Sequence, residues 1–178
     1  CELPRGFKAL DGEEGVYVYR TYPKDSSIIN YVIAESQEDV TKLTQEEFQK
    51  LYEDNLYDAY GDEIQINITQ YEKSKINGRN AITVTFDYTL KGTEYEQMEL
   101  MVYNGAESHI LTYLQEKDGK WAEEFKKSIA SVAFMPLQRE ITPLILPSQP
   151  PTISISFKMP SSITTVVCLE HVPLFLLV

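Results

Sequence analysis

From residue 64 to residue 114 apolar and polar residues alternate along the chain. Ile64, Ile66 and Ile68 are separated by Gln65 and Asn67, with Thr69 following. Ile82, Val84, Phe86, Tyr88 and Leu90 alternate with Ala81, Thr83, Thr85, Asp87 and Thr89. Met98, Leu100 and Val102 continue the pattern, and Ile110 to Leu114 closes it. Successive side chains of an extended chain fall on opposite faces, so this period predicts strands with one face on a core. Asn77-Gly78 marks a tight hairpin, because both central positions of that turn take positive φ. Lys91-Gly92 is a weaker signal of the same kind, and Asn104-Gly105 turns the chain again. Four strands joined by short turns predict an antiparallel meander. Upstream, Val16 to Tyr22 is β-branched and aromatic and reads as a strand stopped by Pro23. Ile28 to Ala34 reads as another.

A different period interrupts the strands. Phe48, Leu51, Tyr52, Leu56, Ala59 and Tyr60 recur at three-and-four spacing, which puts them on one helix face. Thr44 and Glu47 are spaced as a capping box, and Gly61 supplies a left-handed stop. Glu46, Lys50, Glu53, Asp54 and Asp58 fall on the opposite face. After Asp118-Gly119, Trp121, Ala122, Phe125, Ile129 and Val132 form the stripe of a second helix. The order strands, helix, meander, helix is α+β: one antiparallel β-sheet flanked by helices. Tyr71, Met101, Tyr103 and Tyr113 are expected together on the second sheet face.

Composition divides the chain. Residues 1–134 hold 14 Lys/Arg and 25 Asp/Glu, which is the whole net charge of −11. All 12 tyrosines and all 8 glycines lie there, while seven of the 9 prolines lie after residue 135. The expected division is a folded domain over 1–134 and a Pro-rich, low-charge tail over 135–178. Within the tail, 152–157 and 163–169 are β-prone. The tail reads as an extension that adds to a sheet edge, as a partner-binding peptide, or as sequence outside selection, such as a shifted reading frame. The strong negative charge argues against nucleic acid and against anionic membranes as partners.

Chemistry-bearing motifs are sparse. The chain contains no G-x-S-x-G, P-loop, G-x-G-x-x-G, H-E-x-x-H or C-x-x-C. Glu107, Ser108 and His109 superficially suggest a triad, but neighbours on a strand point to opposite faces, so Ser108 and His109 cannot meet. His171 lies in the tail. Glu53, Asp54, Asp58, Asp62 and Glu63 are the densest acidic group. They lack the loop pattern of a calcium site and read as a solvated helix face. Asn67-Ile68-Thr69 matches a glycosylation sequon, placed here on a central strand and read as coincidence. The tyrosines read as core and sheet-surface packing, with an exposed subset as a candidate carbohydrate or peptide platform. No catalytic residue, metal or cofactor is expected. Cys1 is the sharpest single residue: an N-terminal cysteine is what cleavage of a bacterial lipoprotein signal leaves for lipidation. Against that, Leu3-Pro4-x-Gly6-Phe7 begins a fold with no spacer, as a truncated strand would.

Leu3-Pro4-x-Gly6-Phe7, Val16-Tyr17-Val18, Tyr22-Pro23-x-Asp25-x-Ser27-x-Ile29, the 44–61 helix, the Asn77-Gly78 hairpin and Trp121-x3-Phe125-x3-Ile129 come in a distinctive order. Over residues 1–134 this order resembles the PsbP-like α/β/α sandwich superfamily, in particular small extracytoplasmic bacterial proteins of that fold. The resemblance implies an antiparallel sheet between helices and action by binding, as in the photosystem extrinsic subunit and a nuclear GTPase-binding factor. It carries no ligand residue over to this chain. The expected function is a non-enzymatic extracytoplasmic binding or accessory domain for a protein or small-molecule ligand, touching a membrane only through a lipid on Cys1. The alternatives are an enzyme with a scattered carboxylate and tyrosine site, and a cytoplasmic protein-interaction module.

Overall fold

A computed structural model describes residues 1–35, 39–61 and 64–133, together with the backbone of 168–169 and 172–173. The alternating segments form strands β1 (Phe7–Ala9), β2 (Val16–Tyr19), β3 (Ile28–Glu35), β4 (Ile66–Ile76), β5 (Arg79–Leu90), β6 (Thr93–Tyr103) and β7 (Glu107–Glu116). They make one seven-stranded sheet in the order β1-β2-β3-β7-β6-β5-β4. Every neighbouring pair is antiparallel. The meander is therefore β4 to β7, and β3 joins it through β7. Asn77 and Gly78 both take positive φ (50° and 81°), as the hairpin requires. Lys91 and Gly92 do the same (50° and 83°), so the signal that reads as weaker builds the same turn.

Helix α1 (Gln45–Tyr60) starts at Thr44, whose side chain accepts from the Glu47 N–H while Glu47 caps the Thr44 N–H. It ends at Gly61, in the left-handed region at φ 71°. Phe48, Tyr52 and Leu56 are its buried line and pack on Ile82, Val84, Phe86 and Tyr88 of β5. Leu51 is 36% exposed and Ala59 is also exposed, so the buried stripe is narrower than the spacing predicts. Helix α2 (Ala122–Ala130) covers the other face. There Trp121 and Phe125 pack with Phe7, Ile29, Leu100, Leu111 and Tyr113. The Phe7 ring meets Trp121 edge-on, with centroids 5.1 Å apart. The two helices thus sandwich the sheet, and the interior strand β6 is buried on both faces.

Three sequence expectations change. Tyr113 lies on the α2 face, opposite Tyr71 and Met101, because it sits at the other parity of β7. The strand beginning at Val16 ends at Tyr19, and residues 20–24 turn, with Tyr22 N–H bonded to the Tyr19 carbonyl. The opening segment agrees with its reading as the immediate start of the fold: it leads into a paired strand, with Phe7 opposite Tyr19. Asn67 stands exposed on β4, an edge strand and not a central one. Thr69 is an extra residue between the pairs Ile68–Phe86 and Gln70–Thr85. This bulge returns Tyr71 and Lys73 to the face of Ile66 and Ile68.

The boundary at 134 and the tail lie outside the described residues, apart from a short ladder pairing Cys168–Leu169 with Val172–Pro173.

Candidate functional site

One end of the sheet gathers cations. A short 3-10 turn, Val40–Lys42, follows β3 and lies beside the start of β5 and the end of β4. Asp39 fixes it. Its carboxylate accepts from the Thr41 N–H at 3.1 Å and from Asn80 Nδ2 at 3.2 Å. Burial acts to raise the Asp39 pKa, but the bonds from Thr41 and Asn80 and the charge of Lys42 outweigh it and hold it below the usual value. Tyr71 donates to the Leu43 carbonyl at 2.6 Å, and Lys73 Nζ donates to the Lys42 carbonyl at 3.0 Å. Between these segments opens a cleft of about 510 Å³, lined by Thr41, Lys42, Lys73, Ser74, Lys75 and Asn80. Among the described residues none of the three lysines has a carboxylate at ion-pair distance. Asp39 feels the charge of Lys42 and Glu47 that of Lys73, but neither carboxylate is in contact, and ammonium groups beside hydroxyl and amide donors suit an anion.

A second polar constellation is buried beneath α1. Glu99, 2% exposed, accepts at Oε1 from Tyr52 Oη (2.7 Å), Gln97 Nε2 (2.6 Å) and Thr112 Oγ1 (3.4 Å). Gln97 also donates to Tyr52 Oη and accepts from Tyr88 Oη at 3.2 Å. Glu99 Oε2 has no partner among the described residues. Burial raises the Glu99 pKa, against the three donors that lower it. Burial, with Glu99 beside it, also raises that of Tyr52. The strand pattern hides this cluster, because Glu99 sits between Met98 and Leu100 and reads as the polar, outward position. The signal that would find it is that β6 is an interior strand and loses both faces to helices.

The residues singled out earlier are placed as follows. Ser108 is buried at 1% exposure, and its Oγ has no partner among the described residues. His109 projects from the other face, where Tyr31 Oη lies 2.8 Å from Nδ1 and Asn104 Nδ2 lies 3.1 Å from Nε2. Burial lowers the His109 pKa, with Arg79 adding to the fall and Glu107 opposing it. Within the acidic group, Glu53 is half-buried, not solvated. It accepts from the Ile66 N–H and from Gln49, both at 3.0 Å, and so ties α1 to β4. Asp62 and Glu63 lie outside the described residues. No set of three His, Cys, Asp or Glu among the described residues is placed to hold a metal ion. Cys1 is exposed. The chain is already docked at Glu2, whose N–H donates to Ser131 Oγ at 2.7 Å and whose carbonyl accepts from Ser128 Oγ at 2.6 Å.

No family model matches the chain, and no curated protein matches it. Solved structures do match. Cyanobacterial PsbP (CyanoP) from Synechocystis sp. PCC 6803 is similar over 72% of this chain and 81% of its own, at 15% identity and a TM-score of 0.53. PA94 of Pseudomonas aeruginosa, a protein of unknown function, covers 73% and 96% at 12% identity and a TM-score of 0.44. LpqN of Mycobacterium tuberculosis, involved in cell envelope biogenesis, covers 72% and 76% at 15% identity and a TM-score of 0.45. The fold is PsbP-like: an antiparallel sheet between two helices.

Proposed function

We propose that this protein is a non-enzymatic, extracytoplasmic binding domain whose lysine cleft holds an anionic group of its ligand. The observation that supports binding is the cleft itself. Lys42, Lys73 and Lys75 come together on a chain of net charge −11, where carboxylates to neutralise them are plentiful. The accessory, extracytoplasmic part of the reading rests on the PsbP-like fold, which cyanobacterial PsbP (CyanoP) shares. A membrane-tethered form would carry its lipid on the exposed Cys1. Intact mass of the native protein from the membrane fraction tests that part, and an unmodified thiol there counts against it.

The cleft is tested by amide shift titration of the full chain with inorganic phosphate and with malonate. Saturable shifts at residues 41–42 and 73–80 are expected. Lys75→Gln and Lys42→Gln should each weaken binding about tenfold, as loss of one charge-assisted bond does. The exposure of these lysines means added salt should weaken binding further. Unchanged affinity in both variants refutes the reading.

A further inference from the structure

Among the described residues, strand β3 is unpaired on its outer side beyond Tyr31. Strand β2 pairs with it only through Ile28–Asn30, and one more bond runs from the Tyr31 N–H to the Gly15 carbonyl at 2.9 Å. From Val32 to Glu35 only the β7 side is paired among the described residues. Antiparallel ladders alternate, so the Tyr31 bond toward β2 places the Ile33 N–H and C=O on that same outer side. They face outward, and among the described residues no strand lies beside them. The side chains agree with an open edge: Tyr31 is 38% exposed and Ile33 is 51% exposed.

At this end of the sheet, past the ends of β1 and β2, the outermost strands are β3 and β4, and they differ. The other edge, β4, carries Glu72, Lys73 and Lys75 and is interrupted by the Thr69 bulge. Charges and bulges are the devices that stop an edge from recruiting strands. Tyr31-Val32-Ile33-Ala34 has neither charge nor proline nor bulge. Acidic residues stand at both ends of the open stretch: exposed Glu14 next to Gly15, and exposed Glu35 paired across the ladder with Glu107.

We propose that the outer edge of β3, Tyr31 to Glu35, receives an extended segment of another protein as an added antiparallel strand. The segment has apolar residues at alternate positions, to lie against Tyr31 and Ile33, and Lys or Arg at its ends, to meet Glu14, Glu35 and Glu107. Main-chain bonds to Ile33 supply the register and the side chains supply the choice of partner. A second copy of this chain is disfavoured, because it would bring the same acids and another net charge of −11 to the edge. This surface is independent of the lysine cleft.

The test is an amide shift titration of the full chain with a synthetic peptide, acetyl-Lys-Val-Thr-Val-Thr-Lys-amide. Saturable shifts at Tyr31–Glu35 are expected. The same peptide N-methylated on the amides that face β3 should produce none. Ile33→Pro removes the outward N–H without touching the β7 ladder and should weaken binding at least about tenfold. If Ile33→Pro fails to fold, the N-methylated peptide still decides. Absence of binding at millimolar peptide, equal binding by the N-methylated form, or shifts confined to β4 would overturn the proposal. So would a concentration-dependent dimer formed through β3.

Discussion

Replacing Glu99 with Gln should change how stability depends on pH. Glu99 is fully enclosed by Tyr52 of α1, Tyr88 of β5, Gln97 of its own strand and Thr112 of β7. These neighbours include no cationic side chain, and desolvation leads the causes that raise its pKa. A group whose folded pKa is raised holds its proton longer in the native state than in the unfolded one. Its stabilising contribution is complete below the unfolded value, roughly 4.3, and is lost as pH rises through the folded value. Within that window the slope for one proton is about 1.4 kcal/mol per pH unit. Gln cannot ionise, so the variant lacks this slope. It keeps a carbonyl to accept from Tyr52 and Gln97, and it places an NH₂ where Oε2 has no partner, at a pH-independent cost of about 1–3 kcal/mol. Urea unfolding of both proteins from pH 4 to pH 8 separates the two effects. The difference in unfolding free energy, variant minus native, should rise with pH and then level off. Parallel curves would refute the argument, because they would show that Glu99 binds the same number of protons folded and unfolded.

Two further substitutions probe the frame. Thr44→Ala deletes the bond that Thr44 Oγ1 accepts from the Glu47 N–H at 3.2 Å, and should cost about 1 kcal/mol in urea unfolding. Gly15→Ala meets two obstacles: φ is +76°, and the added Cβ would stand 2.3 Å from the Tyr31 carbonyl oxygen. The backbone conformation alone costs about 1–2 kcal/mol. Hydrogen exchange at the Tyr31 amide, the last bond between β2 and β3, should speed up before any global change.

Local signals in the sequence carried much of the fold. Thr44, Glu47 and Gly61 locate α1 because capping is a matter of a few adjacent backbone groups. Asn77-Gly78 locates a hairpin for the same reason. What stayed hidden depends on residues far apart in the chain. The Thr69 bulge follows from pairing with β5, and without it Tyr71 would miss the Leu43 carbonyl. Glu99 looks solvated in a two-period strand, and only the docking of α1 forty-seven positions upstream, with Tyr52, encloses it. The lysine cleft needs Lys42 beside Lys73, thirty-one positions apart in sequence, which the Lys73 bond to the Lys42 carbonyl records. Glu53 reads as helix surface, yet it faces the returning chain at Ile66.

The two proposed surfaces share one end of the sheet. The ladder aligns Lys75 with Asn80, Ala81 with Val102, and Val102 with His109, and His109 lies opposite Ile33. Lys75 at one edge and Ile33 at the other are therefore separated by the widths of β5, β6 and β7. At about 4.8 Å per strand spacing, the two edges lie roughly 19 Å apart. The opposite end is closed. There Trp121 Nε1 donates to Asp25 at 3.2 Å, Lys120 pairs with Asp25 at 3.1 Å, and the Lys120 ammonium lies 4.9 Å from both the Tyr19 and Trp121 ring centroids. Burial acts to raise the Asp25 pKa, but bonds from Ser27, Lys120 and Trp121 outweigh it and hold the carboxylate ionised. One end thus ties a lysine to a carboxylate beneath two aromatic rings, while at the other, among the described residues, Lys42, Lys73 and Lys75 make no contact with a carboxylate and β3 is unpaired on its outer side beyond Tyr31. This asymmetry is the physical ground on which binding is proposed at the β3 and β4–β5 end.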